Sequence, residues 1–310
     1  MNESDTDREV TPLSPKPNES KSKFELLYHE YTKSVSYIFI VVVLATFTTL
    51  TTVTITQKLI DSDNQRRFWI NQLVKYFSIF IIQLICGLYV KHRDFKVNYS
   101  RKIVHISYFV IPQLLDTVIL RFNKTIYTEL WNITIIYCLL LVLLKVVRSR
   151  FDLFKIMYAA VDRPEDRPFT TFWFITQLSV SLPIIMGFSI LFSSLDKNNF
   201  IFIPLWILAF GDGLAEPVGT KYGRHKYNVK GFLVNKEYTR SLEGSSCVYL
   251  ASIISILAYY NSFTKASLTF CLMLMPFAMT LVEAYSPHTW DNPIILLTGY
   301  IIMTCAYYIQ

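Results

Sequence analysis

The chain has 310 residues and a formal net charge of +7; 52% of its residues are apolar and 17% are charged. The apolar residues form blocks of about 20, the length that a helix needs to cross a hydrocarbon core of roughly 30 Å. Such blocks argue against a soluble protein, and the lack of two-residue alternation argues against a transmembrane β-barrel. Because unpaired backbone groups are costly in lipid, the blocks should be helices. We therefore predict an all-α, polytopic membrane protein.

The N-terminal segment differs in composition from the rest of the chain. It is polar and contains several Pro and Ser residues, which is typical of disorder. We predict a disordered cytosolic tail at 1–35 and a single membrane-embedded domain at 36–310. The predicted spans number nine: 37–56, 68–90, 103–120, 129–147, 169–192, 200–216, 245–261, 265–283 and 293–309.

The distribution of Lys and Arg predicts the orientation. With nine spans, 22 of these 30 residues lie on the side of the N-terminal tail and 7 lie on the opposite side. By the positive-inside rule, the first side is cytosolic. The same asymmetry accounts for the positive net charge, so we expect no nucleic-acid partner. We expect the membrane to be the endoplasmic reticulum or another endomembrane.

The third predicted span begins with charged residues, in the segment SRKIVHISYF at 100–109. Arg101 and His105 are four residues apart and share a helix face, and Lys102 lies beside them. Charges at a cytosolic helix end are common, so this segment alone does not indicate a site.

The sixth span ends in AFGDGLAEPVGTKYG, which places two carboxylates at its edge. Asp212 and Glu216 share a helix face that Gly219 and Gly223 continue. Pro217 should end or kink the helix. Ionisable residues inside spans are usually functional. The alternative is a glycine motif for helix packing, with the acids at a solvated helix end.

The segment TRSLEGSS at 239–246 opens the seventh span. Ser241 is predicted to be the N-cap, and the free amides of the following turn suit a phosphate, which Gly244 would allow to approach closely. Glu243 beside a phosphate would require a divalent cation between them. Seven basic or imidazole side chains lie at 221–240, among them Lys226 and Arg240. They suit a triphosphate, although positive-inside topology or anionic lipid head groups also explain them. For the segment 239–246 alone, an ordinary capped helix is the better interpretation.

The segment TLVEAYSPHTWDN at 280–292 closes the eighth span without any Lys or Arg after it. Glu283, Asp291 and Asn292 make this loop rich in oxygen, which suits Mg²⁺ or a sugar hydroxyl. A simple turn with helix-capping side chains is the alternative.

Four patches in this order, RKIVH, GDGLAEPVG…YGRHK, RSLEGS and EAYSPHTWDN, resemble the motifs of the polyprenol kinase and CDP-diacylglycerol synthase superfamily. The resemblance covers roughly 100–295 and is greatest to the phytol and farnesol kinase-like branch. It implies a membrane enzyme that uses Mg²⁺ and CTP to phosphorylate a lipid alcohol such as phytol, farnesol or geranylgeraniol.

The resemblance also implies roles for individual residues. Catalytic roles fall to Asp212, His105 and Glu283, with either Asp212 or His105 as the proton acceptor. Asp212, Glu216 and Asp291 would bind the metal ion. The nucleotide would be bound by Arg101, Lys102, Gly211, Gly213, Gly219, Gly223, Lys226, Arg240, Ser241, Glu243, Gly244 and Asn292.

Departures from the family pattern define the alternatives. Arg240 stands where relatives often have Lys, which keeps the charge but changes its geometry. The last loop lacks the ending expected of a CDP-diacylglycerol synthase, so phosphatidate cytidylyl transfer is second to kinase activity. A diacylglycerol kinase that uses CTP, a dolichol kinase and a non-catalytic scaffold are further alternatives. The acids Asp212, Glu243, Glu283 and Asp291 are all present, which favours an enzyme.

Overall fold

The structure is a computed structural model that describes residues 19–57, 62–231, 237–287 and 290–309. Helices dominate this part of the chain, as predicted. They are α1 (Glu19–Gln57), α2 (Ser62–His92), α3 (Val97–Leu114), α4 (Ile126–Leu141), α5 (Lys145–Arg148), α6 (Asp152–Ala159), α7 (Thr170–Ser194), α8 (Phe202–Trp206), α9 (Gly213–Tyr222), α10 (Leu242–Ala258), α11 (Lys265–Tyr285) and α12 (Asp291–Tyr308). Two π-helical turns, Leu115–Ile119 and Ile207–Asp212, follow α3 and α8.

Within the described residues, six helical segments are long and apolar enough to cross a membrane, so the protein is a multi-pass membrane protein. They are Lys33–Ile55, Asp63–His92, Val97–Ile119, Thr170–Ser194, Asn198–Tyr222 and Lys265–Tyr285. The predicted count of nine is not confirmed. The remaining predicted spans fall on α4, α10 and α12, which have 16, 17 and 18 residues. At 1.5 Å per residue these helices reach only about 24–27 Å.

The N-terminal segment differs in part from the prediction. Residues 1–18 lie outside the described part of the chain, whereas α1 already begins at Glu19. Residues 19–35, predicted as part of a disordered tail, are therefore helical.

A β-hairpin interrupts the helical pattern between α9 and α10, and the sequence analysis did not predict it. Strands β1 (Lys226–Lys230) and β2 (Glu237–Ser241) pair antiparallel, with Lys226 opposite Ser241. Since α10 follows β2 directly, the hairpin holds the start of α10 against the end of α9.

A buried apolar core packs α7 and α8 against α10, α11 and α12. Ile203, Ile207, Met275 and Tyr300 are fully buried in it, and the Tyr300 ring stacks on Phe188 with centroids 4.9 Å apart. This core fixes the segment from α8 to α9, on which Asp212 and Glu216 lie.

Candidate active site

The central helical segment, Asn198–Tyr222, carries the two predicted carboxylates. In its most apolar stretch 61% of the residues are buried, the largest share among the six spanning segments of the described chain. The irregularity lies in the π-helical turn that ends at Asp212, and α9 continues through Pro217 to Tyr222. The helix therefore does not end at Pro217. Asp212 closes the π-helical turn with 4% of its surface exposed, and π-helical turns occur frequently at functional sites.

Helix α3 supplies the cations that neutralise these carboxylates. Lys102 Nζ lies 2.8 Å from Asp212 Oδ1, and Arg101 forms an ion pair with Glu216. His105 Nε2 lies 3.3 Å from Asp212 Oδ2 and 3.2 Å from the carbonyl oxygen of Leu208 in the π-helical turn. The structure thus joins the predicted segments at 100–109 and 209–223.

Glu216, which was predicted to bind a metal ion, is surrounded by three cationic side chains. Besides Arg101, its carboxylate lies 3.5 Å from Arg163 Nη1 and 3.9 Å from Lys102 Nζ. Its oxygens are therefore engaged by the protein itself.

The start of α10 has the predicted cap. Ser241 Oγ accepts a hydrogen bond from the amide of Gly244 at 3.1 Å. Helix α9 packs closely here, because a Cβ on Gly244 would lie 2.7 Å from the Ala215 carbonyl oxygen and one on Gly219 would lie 2.8 Å from Ser241 Oγ. Close backbone contact between α9 and α10 thus accounts for both glycines.

Three further glycines have packing explanations as well. A Cβ on Gly211 would lie 3.1 Å from the Val248 backbone, and one on Gly213 would lie 2.6 Å from the Ile106 side chain. A Cβ on Gly223 would lie 2.8 Å from the Cβ of the N-cap serine. Their predicted contribution to a phosphate cleft stays a prediction.

Arg240 and Glu283 form a further ion pair, separate from those between α3 and the carboxylates of Asp212 and Glu216. Arg240 Nη1 lies 3.0 Å from Glu283 Oε1, and Arg240 Nη2 donates to the Glu283 carbonyl oxygen at 3.2 Å. Glu283 is 2% exposed. Within the described chain, the buried Nε atoms of Arg240 and Arg101 lack a hydrogen-bond partner.

The last predicted patch contributes a buried carboxyl group. Asp291 is 5% exposed and its Oδ1 accepts a hydrogen bond from the amide of Asn292 at 3.0 Å. Burial, followed by the negative charge of Asp212, raises the pKa of Asp291 above its usual range. The Asn292 side chain instead contacts Gln177 of α7 at 3.5 Å. His288 and Thr289 of this patch lie outside the described residues.

Glu243 is engaged at the base of the hairpin. Its Oε1 lies 2.9 Å from His225 Nδ1, and the hydrogen bond from the His225 side chain lowers the pKa of Glu243 to about 2. Glu243 therefore joins the start of β1 to the first turn of α10, and its predicted contact with the nucleotide stays a prediction.

A cavity of about 430 Å³ opens at this end of the helices. A volume of this size lies in the usual range for small-ligand sites. Predicted site residues in its wall are Glu216, Gly219, Lys226, Arg240, Ser241, Gly244 and Glu283. Residues that the sequence analysis did not single out are Asn98, Arg163, Glu165, Ala215, Thr220, Tyr238, Thr239 and Ser245.

The carboxyl groups suit a metal ion that arrives with a ligand. Among the described residues, no group of three His, Cys, Asp or Glu side chains is arranged to hold a metal. Mg²⁺ usually takes one or two carboxylates together with substrate phosphates and water. Asp291, whose ionised form is disfavoured by burial and by the charge of Asp212, is a predicted ligand of this kind. Asp212 is the other, although its two oxygens contact Lys102 and His105. Metal binding by these two residues stays a prediction.

The sequence holds no signal that singles out Arg163, but it holds one for the hairpin. The alternation in KYNVK and EYTRS, where Tyr227 and Val229 are less exposed than their neighbours, is typical of strands. This pattern would have predicted the hairpin.

Comparison with known proteins gives a partial similarity. No family model matches the chain, and no solved structure matches it. A phytol kinase from a Synechocystis species is 40% identical over 76 residues, which cover 24% of this chain and 30% of that protein. This supports a phytol kinase-like relationship over about a quarter of the chain.

Proposed function

We propose that this protein transfers the γ-phosphate of CTP to the hydroxyl group of a membrane lipid alcohol. The acceptor class that we propose is isoprenoid: phytol, farnesol or geranylgeraniol. The observation that carries the proposal is a cavity lined by cations and carboxylates at one end of membrane-spanning helices. A hydroxyl group at the membrane edge and a soluble nucleotide can meet at such a place.

The partial similarity to phytol kinase supports the choice of reaction. The charges support it as well, because phosphoryl transfer depends mainly on positioning and on neutralising the charge of the transferring group. Arg240, held by Glu283, and Lys226 line the cavity and would bind the phosphates. The capped first turn of α10 would add amide donors near Gly244.

Asp212 is the proposed proton acceptor for the lipid hydroxyl. His105 Nε2 lies within hydrogen-bond distance of a carbonyl oxygen, which can only accept, so this nitrogen carries the hydrogen. It therefore orients Asp212, and this nitrogen does not take the proton of the lipid hydroxyl. Asp212 and Asp291 would hold Mg²⁺, which would neutralise phosphate charge when bound with the nucleotide.

The proposed location is the endoplasmic reticulum or another endomembrane, with the cavity on the cytosolic side. Two features support this orientation. With the nine predicted spans, the excess of Lys and Arg falls on the side of the loop 219–244, whose hairpin residues line the cavity. Nucleoside triphosphates are also present in the cytosol.

Position-labelled nucleotides test the reaction. Purified protein in lipid nanodiscs is supplied with Mg²⁺, one lipid acceptor, and CTP labelled at either the α or the γ phosphorus. We expect γ-label, and no α-label, in the lipid product formed from an isoprenoid alcohol.

The other outcomes separate the alternatives. Transfer of α-label to phosphatidate would identify a cytidylyltransferase. Transfer of γ-label to diacylglycerol or dolichol would change the acceptor. A lack of any labelled lipid with CTP, ATP, UTP or GTP would favour the scaffold and contradict the proposal.

A further inference from the structure

The loop between α6 and α7 contributes a buried cation to the cavity. Arg163 is 2% exposed and lines the cavity. Its Nε and Nη2 atoms both contact Asp166 Oδ2, at 2.9 and 2.8 Å. Asp166 therefore holds the guanidinium group in one orientation.

The third nitrogen of Arg163 connects this loop to the acid–cation cluster. Its Nη1 lies 3.5 Å from Glu216 Oε1, while Arg101 pairs with Glu216 Oε2. Each oxygen of Glu216 thus has a guanidinium partner from a different element. Lys102 Nζ, at 3.9 Å from Oε2, is the third cation around this carboxylate.

We infer that Arg163 is a positioning residue for the nucleotide, acting through Glu216. The chain of contacts from Asp166 through Arg163 fixes Glu216 in the orientation in which it pairs with Arg101. Glu216 then organises cations for the phosphates, and metal binding is left to Asp212 and Asp291. This inference rests on the proposed function, because it assumes that the cavity receives a nucleoside triphosphate.

Charge explains why loss of Arg163 should weaken binding. Without this cation, Glu216 Oε1 loses its partner while Arg101 and Lys102 stay near Oε2, so the cavity wall carries more negative charge and repels a triphosphate. The Glu216 side chain is 14% exposed, so water screens this charge incompletely. We expect the dissociation constant of CTP to rise at least tenfold.

The test compares Arg163→Gln with Arg167→Gln. Arg167 lies in the same loop and pairs with Asp162 at 2.8 Å, but it is 58% exposed and does not line the cavity. CTP binding is measured by equilibrium dialysis in EDTA and again with Mg²⁺, and folding is checked by thermal unfolding. Arg163→Gln should weaken binding at least tenfold in both buffers and change kcat at saturating CTP by less than threefold.

Two more variants distinguish positioning from a structural role. Arg163→Lys keeps the charge and should recover part of the affinity. In a background of Glu216→Gln, the further change Arg163→Gln should weaken binding less than threefold, because the carboxylate that Arg163 orients has lost its charge. Glu216→Gln should leave the Mg²⁺ dependence of turnover within threefold of the wild type.

Several results would overturn this inference. One is equal CTP affinity in Arg163→Gln and Arg167→Gln. Another is a loss of kcat in Arg163→Gln with unchanged CTP affinity. A third is a large shift in the Mg²⁺ dependence of turnover in Glu216→Gln. Failure of the proposed reaction is distinguishable. If no lipid is phosphorylated but Arg163→Gln still weakens nucleotide binding, the positioning role stands. If CTP, ATP, UTP and GTP all fail to bind the wild type, both proposals fall.

Discussion

Replacing Asp212 with Asn should abolish turnover. The amide keeps the volume of the side chain but removes the charge that a hard divalent cation seeks. It also removes the carboxylate that would accept the proton of the lipid hydroxyl. We expect kcat to fall by more than about 100-fold, equivalent to about 2.7 kcal/mol of transition-state stabilisation.

The same substitution should also destabilise the fold, because it breaks a buried ion pair. Lys102 is 4% exposed and lies 2.8 Å from Asp212 Oδ1. Removing one partner of a buried pair costs about 3–5 kcal/mol, since the other charge stays buried. Adding Lys102→Met removes that remaining charge. The double variant should therefore recover thermal stability in detergent while staying inactive.

Asp196→Asn is the matched control. Asp196 is exposed beyond the C-terminal end of α7 and has φ of 53°, a conformation that Asn adopts as readily as Asp. The turnover and the unfolding temperature of the Asp196→Asn variant should equal those of the wild type. Lipid phosphorylation is measured with γ-labelled CTP, and stability by thermal unfolding. If Asp212→Asn keeps more than about a third of wild-type kcat, the reading of Asp212 as the reacting carboxylate is refuted.

The remaining predictions concern topology, packing and phosphate binding. Single cysteines replacing Thr6 and Asn228 should be labelled by an impermeant maleimide from the same, cytosolic face; labelling from opposite faces would contradict the orientation. Gly219→Ala should lower stability by about 1–3 kcal/mol because its Cβ would lie 2.8 Å from the N-cap serine hydroxyl. Gly187→Ala, with open space around its Cβ, should not destabilise, and equal losses in both would contradict this packing. Arg240→Gln should raise KM for CTP at least tenfold, and an unchanged KM would exclude Arg240 from phosphate binding.

The ion pairs of the candidate site were predictable in outline because buried charges must be neutralised. An acidic or basic side chain that is buried without a partner costs free energy, and pairing with an opposite charge lowers that cost. This explains why Arg101 and Lys102 meet Asp212 and Glu216. It does not specify which acid takes which base, and that depends on the rotation of α3 against α9.

The end of α4, the hairpin and the burial of Arg163 could not be predicted from hydropathy, because each depends on contacts between distant residues or on local backbone geometry. Apolar content predicted a span at 129–147, but α4 ends at Leu141 and a short irregular segment follows. The hairpin depends on cross-strand pairing between residues that lie up to 15 positions apart, from Lys226 to Ser241. Arg163 lies in a loop with several charges, and only tertiary structure separates its buried guanidinium from the exposed one of Arg167.

The pairing of α3 with α9 has a consequence for how the chain enters the membrane during synthesis. Lys102 and Asp212 are separated by 110 positions, and Arg101 and Glu216 by 115. At about 5–20 residues per second, the ribosome adds the acids some 5 to 20 s after the bases. Through that interval Arg101 and Lys102, at the predicted cytosolic end of α3, lack their counter-ions. This cluster of charges in the first half of the protein is therefore completed only when the second half supplies the two carboxylates.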